Sequence, residues 1–199
     1  MIAEPVTQGV EVERRRRSFT VAEFMRLDEV GLFGEDERVE LIRGEIIEMS
    51  PINVPHALCV NRLTMLLAPP LVGRAIVSVQ NPIQLDDHTL PQPDIALWDL
   101  ARYEEDRVVA GPSQLFLVIE VADSSIAYDR RAKGVLYAAA GIADYWIVNL
   151  QANVIEVYRE PRPAGYRAVT RYEPGETLSP LAFADVALAV SDVLGTNNP

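Results

Sequence analysis

Cysteine is almost absent from this chain, Cys59 being the only one, so no intrachain disulfide, CxxC motif or cysteine-based zinc finger can form. Any bound metal would have to take oxygen or histidine ligands. Long apolar runs are missing too. None approaches the roughly 18 residues that span a bilayer, and Glu11, Glu13 and Arg14 to Arg17 stand where a signal peptide would be apolar. These absences imply a soluble, cytoplasmic protein with no membrane partner. Lysine is as scarce as cysteine: of 18 basic residues 17 are arginine and one, Lys133, is lysine. Basic charge is in deficit overall, 18 Lys and Arg against 29 Asp and Glu, for a net charge of -11. That balance is a poor match for a protein that grips a duplex by counterion release.

What the chain does have is enough apolar material, 49% of 199 residues, for one domain with a sizeable core. Residues 1–17 lack apolar periodicity and read as a disordered basic tail, 18–194 as the domain and 195–199 as a frayed end. Thr20, with Glu23 three residues on, predicts a capped helix to about Leu27. Arg43-Gly44 between Val39-Glu40-Leu41-Ile42 and Glu45-Ile46-Ile47-Glu48-Met49 predicts a hairpin. Residues 54–67 read as a helix with Leu58, Leu63, Leu66 and Leu67 buried and Pro69-Pro70 ending it. Strands are expected over 75–85 and 93–98, the second opened by Pro93-Asp94. A helix over 128–140 should bury Ala132, Val135, Leu136 and Ala139, and Lys133 falls on the border of that face. Strands over 144–149, 154–159 and 166–172 come next, and Leu178, Leu181, Phe183, Leu188 and Val193 complete the core.

One stretch carries the functional signal. Leu115 to Asp123 is a short apolar run, rich in β-branched residues, that reads as a strand covered on both faces. Glu120 lies inside it. A buried carboxylate needs a cation, a partner or a proton-transfer role. Asp94 opens the preceding strand, and consecutive strands usually lie side by side in a sheet. Two carboxylates on adjacent strands can hold Mg²⁺, which keeps waters for a substrate phosphate. Lys133, in the next helix, could reach Glu120 and orient or deprotonate water or stabilise a phosphorane.

The pattern Pro93-Asp94, Glu120-Val121-Ala122, Lys133 resembles the PD-(D/E)XK nuclease superfamily. The wider sequence resembles the Uma-two family of bacterial restriction-endonuclease-like proteins, through Glu40-Leu41-Ile42-Arg43-Gly44-Glu45, Met49-Ser50-Pro51, His56, Ile119-Glu120-Val121, Tyr137, Gly141 and Tyr145-Trp146. The resemblance implies an α/β fold with a restriction-endonuclease-like core, a mixed central sheet flanked by helices and an N-terminal hairpin. It further implies a DNA endonuclease using Mg²⁺, with Mn²⁺ as substitute, held by Asp94 and Glu120. Ala122 stands where the superfamily usually has its lysine, which implies that Lys133 has taken over from the following helix. The superfamily often adds a glutamate from its first core helix. None occurs over 54–67, and Glu40 is the substitute, with Glu45 behind it.

Each residue also has a plainer reading. Asp94 could be a turn aspartate, Glu120 the partner of Arg130 or Lys133 in a structural ion pair, Lys133 a snorkelling lysine, His56 a cap and Cys59 a small buried hydrophobe. A second class of function therefore stands beside the nuclease: a non-catalytic dimer or scaffold of the same fold with a vestigial acidic pocket. A homodimer is expected in either case, through strands of the C-terminal half.

Overall fold

The computed structural model describes residues 17–34, 37–102 and 109–196. The expected tail over 1–17, apart from Arg17, and the frayed end beyond Thr196 lie outside the described residues. At the centre is a six-stranded sheet of order β3-β4-β5-β6-β7-β8: β3 Ala75–Val79, β4 Ile95–Asp99, β5 Leu115–Ala122, β6 Asp144–Asn149, β7 Val154–Arg162 and β8 Gly165–Tyr172. Only β5 and β6 run parallel. Their crossover is the helical segment α3, which starts at Ile126–Tyr128 and ends at Gly134–Ala139. The sheet is therefore mixed, with helices on both faces.

Alternation along β5 assigns those faces. Leu117, Ile119 and Val121 pack with Cys59, Leu63, Leu67 and Leu71 of α2, Val54–Leu71. Val118 and Ala122 pack with Tyr137 of α3 and with Tyr145 and Ile147. Glu120 shares their parity and so looks towards α3. The short pair β9 Thr177–Leu178 and β10 Leu188–Ala189, with α4 Val190–Leu194, closes the α2 side through Leu178, Phe183, Leu188 and Val193. Leu181, expected there, is instead 55% exposed, because its amide turns in to the Asp144 carboxylate at 2.7 Å.

A smaller N-terminal layer leans on this core. Thr20 caps α1, Val21–Glu29, its hydroxyl accepting from the Glu23 amide while the Glu23 carboxylate accepts from the Thr20 amide. Val21 and Phe24 then pack with Leu41 and Leu90. Leu41 belongs to the hairpin β1 Val39–Ile42 and β2 Glu45–Glu48. Arg43 and Gly44 both have positive φ, 52° and 78°, the turn type that two-residue hairpins favour. Gly44 is needed for a second reason: a Cβ there would lie 2.5 Å from Ser18 Cβ. Gly44→Ala should lower stability by about 2 kcal/mol or more in chemical denaturation, from strained backbone plus the clash. A value within roughly 0.5 kcal/mol of the parent, the range of ordinary surface changes, would contradict the placing of the hairpin against residue 18.

Four expectations need correcting. The prolines do not end α2; they lie in its last turn, held there by Leu71, as fully buried as Leu67 one turn earlier. Leu58 is 47% exposed, since the buried row of α2 runs through Cys59, Leu63 and Leu67. Strand β3 stops at Val79 because Gln80 adopts a φ of 52°. In α3, Asp129–Lys133 forms a π-turn closed by the Gly134 amide on the Asp129 carbonyl. The extra residue in that turn rotates the rest of the helix about its axis, leaving Ala139 exposed and Lys133 only 3% exposed.

Candidate active site

Asp94 and Glu120 meet through sheet register. Ile95 pairs with Ile119 across the antiparallel β4–β5 ladder, so the next pair outward is Asp94 with Glu120, on one face of the sheet. Both are buried, at 6% and 4% exposure. The Asp94 carboxylate is clamped from three directions: Oδ2 accepts from the Val121 amide at 2.8 Å and lies 3.0 Å from His56 Nε2, and Oδ1 accepts from Gln80 Nε2 at 3.3 Å. Burial works against its charge, but His56, the Val121 amide and Gln80 together hold Asp94 below the ordinary aspartate range. His56 reaches it because Asn53 caps α2, accepting from the His56 amide, and donates to Asp123 at 2.5 Å, which ties the helix start to the end of β5.

The π-turn brings Lys133 in from the other side. Its Nζ lies 3.0 Å from Glu120 Oε1 and 3.2 Å from Glu40 Oε2. Tyr137, one turn later, donates to the same Glu120 oxygen at 2.7 Å. Glu40 is 2% exposed and also accepts from Tyr128 Oη at 3.2 Å and from the Gln92 amide at 3.3 Å. Glu40 therefore does face this site while Leu41 faces the core, as strand alternation requires. Burial pushes the Glu120 carboxyl up, to about 8; Lys133 opposes the shift, while Asp129, Asp94 and Glu40 add to it. Burial equally opposes the Lys133 charge, but Glu120, Glu40 and Asp129 outweigh it and raise its pKa. Lys133 is thus a firmly protonated ammonium among carboxylates.

Glu40, His56, Asp94, Glu120, Tyr128 and Lys133 line one cleft of about 260 Å³, bounded by the hairpin, the start of α2, the end of β5 and α3. Glu45 is exposed and does not line it: paired with Ile42, it shares the hairpin face of Glu40 but sits beside the turn, at the end of the hairpin away from the cleft. Arg130 pairs with Glu156 rather than Glu120. Cys59 lies in the core, where burial pushes its thiol up to about 12. Asp129 and Arg38 are among the cleft residues that sequence reading did not make site candidates. Asp129, 3% exposed, accepts from Ser125 Oγ at 2.6 Å, and burial raises its pKa. Arg38 lines the cleft beside Glu40. Spacing could have found both, four residues before Lys133 and two before Glu40. Among the described residues no group of three or more His, Cys, Asp or Glu side chains is arranged as a metal cage, and no helix is long and apolar enough to cross a membrane.

Comparison with solved structures gives a protein described as a "putative nuclease belonging to DUF820", from Anabaena variabilis. It matches with a TM-score of 0.67 at 20% identity, over 89% of this chain and 98% of that one, a likeness of fold. No curated protein matches the sequence. A family model described as "Putative restriction endonuclease" matches residues 21–191, a span that contains the hairpin, α2, the whole central sheet and every residue of the cleft, and the chain belongs to that family, Uma-two.

Proposed function

We propose that the protein is a cytoplasmic, metal-dependent endonuclease of the PD-(D/E)XK type that hydrolyses DNA phosphodiester bonds. The observation that carries this reading is the convergence of Asp94, Glu120 and Lys133, from three separate elements, on one cleft. The donor set fits Mg²⁺ or Mn²⁺: two hard carboxylates side by side, with the remaining positions left to water and to substrate oxygens. Crowding of like charge strengthens the fit, since Glu120, pushed up first by burial, is pushed up further by Asp129, Asp94 and Glu40, and a divalent cation would relieve them. Bound there, the metal would supply Lewis acidity and an acidified water.

The chain's own residues divide the remaining work. Asp94, fixed by His56, Gln80 and the Val121 amide, stays ionised and presents a rigid ligand. Glu120, held through Oε1 by Lys133 and Tyr137, is oriented from behind. Lys133 is too firmly protonated to take a proton from water, so its role is electrostatic, opposing negative charge that grows on the phosphoryl oxygens. Glu40 holds Lys133 in position. Cleavage of duplex, single-stranded and branched DNA should appear on adding Mg²⁺ or Mn²⁺ and vanish with chelator.

One observation favours the second reading, a non-catalytic scaffold with a vestigial pocket: the Lys133 ammonium is already paired with two carboxylates. Wild-type protein inert on all three substrates with either metal would put that reading ahead. We also propose a homodimer, built on β8, one of the two edge strands of the sheet, whose outer edge pairs with no other strand among the described residues and can accept one. Light scattering should give twice the chain mass.

A further inference from the structure

The cleft holds a cation that its own carboxylates do not use. Arg38 immediately precedes β1 and shares the side of Glu40, while Val39 and Leu41 pack with Phe24 and Leu90. Its carbonyl accepts from the Met49 amide at 2.8 Å, which fixes the residue against the end of β2. Arg38 lines the cleft. Its Nη2 is closed off from solvent and has no hydrogen-bond partner among the described residues.

An unmet guanidinium nitrogen is unexpected in a cleft lined by Glu40, Glu48, Asp94, Glu120, Asp123 and Asp129. Most of these are committed elsewhere: Glu40 to Lys133, Tyr128 and the Gln92 amide, Asp94 to His56, Gln80 and Val121, Glu120 to Lys133 and Tyr137, Asp123 to Asn53, Asp129 to Ser125. Lys133 is committed in turn. A buried charged donor left unmet is costly, so the position calls for an anionic acceptor from outside the chain. A guanidinium is suited to phosphate, because its planar fork of N–H donors matches two oxygens at once.

We propose that Arg38 is the phosphate-positioning residue of this site, its guanidinium donating to a non-bridging oxygen of the nucleic-acid backbone and so setting the strand against Asp94 and Glu120. The proposal rests on the nuclease reading for its ligand but makes a separate claim about one side chain. A contact to phosphate carries no base information, so Arg38 should contribute affinity uniformly across sequences.

The test uses the full chain with Ca²⁺ in place of Mg²⁺, fluorescence anisotropy of labelled duplex and single-stranded oligonucleotides, and the ³¹P line width of inorganic phosphate. Arg38→Gln should weaken binding of every oligonucleotide by about tenfold, the loss of one charged hydrogen bond. It should also make the dependence of log K on log salt shallower by about 0.9 for a duplex, one phosphate contact. The melting temperature should be kept or raised, since an unmet donor is removed. Arg38→Lys should restore the salt slope but only part of the affinity, a point charge replacing a fork. Phosphate should be broadened by wild type and not by Arg38→Gln. Phosphate binding that depends on Arg38 in a protein that binds no DNA would keep the anion site and remove the nucleic-acid reading. Unchanged affinity, slope and line width in Arg38→Gln would overturn the proposal, as would loss of fold in both Arg38→Gln and Arg38→Met, which would make the arginine structural.

Discussion

Lys133→Met is expected to abolish metal-dependent cleavage and, at the same time, to lower stability at neutral pH by roughly 3–5 kcal/mol, as removal of one partner from a buried ion pair does. In a chain of this length each kcal/mol moves the melting temperature by about 2–4 °C, so the shift should be on the order of 10 °C. Lys133 is only 3% exposed and serves both Glu120 and Glu40. Methionine keeps the stem and removes the one charge between them. Loss of stability alone does not show a chemical role, and a second variant separates the two. Glu40→Gln combined with Lys133→Met removes the largest unpaired charge and should recover much of the melting temperature, while cleavage stays absent. Recovery of cleavage in that double variant would assign Lys133 a purely structural part.

Glu120→Gln is expected to reduce metal-supported cleavage by at least about 100-fold, more than the 10–100-fold typical of losing a residue that only supports a ligand, while keeping the shape of the side chain. Its effect on stability should depend on pH in a defined direction. The Glu120 carboxyl titrates near 8 in the folded protein against an ordinary value of 4.5, so between those values the folded state binds more protons than the unfolded one. The stability this contributes is fully present below the unfolded value and is lost as pH rises through about 8. Asp94 and Glu156, held low in the fold, work the other way and favour the fold above the ordinary carboxylate range. Metal-free wild type should therefore lose melting temperature from pH 6 to pH 9, and Glu120→Gln, which resembles the protonated acid at every pH, should lose much less. Parallel profiles for the two proteins would contradict the burial of an ionisable Glu120 beside Asp94.

The parts of this fold that were legible in the sequence are those set by local chemistry. The Thr20 and Glu23 capping box, the Arg43-Gly44 turn and the apolar run around Glu120 each specify their element within a few residues, and each is present. Pairing of β4 with β5 agrees with their order in the chain, and it brings Asp94 to Glu120. The hidden parts depend on backbone that no residue type announces. Gln80 takes a left-handed φ without being glycine, so the alternating pattern runs on past the true end of β3. The π-turn at Asp129–Lys133 adds a residue that a helical period of 3.6 cannot anticipate. A regular helix would put Lys133 at a surface border, and the π-turn encloses it instead. Arg38 and Asp129 were visible only as spacings, and their importance depends on which neighbours are already paired, a three-dimensional property.

The most direct measurement is cleavage of duplex DNA by wild type, Glu120→Gln and Asp94→Asn at one pH across a titration of Mg²⁺ and, separately, Mn²⁺. Cleavage by wild type that rises and saturates with metal, with both variants at background although folded, is the result this account predicts. Equal cleavage by all three proteins, or a wild-type rate independent of metal, would contradict it.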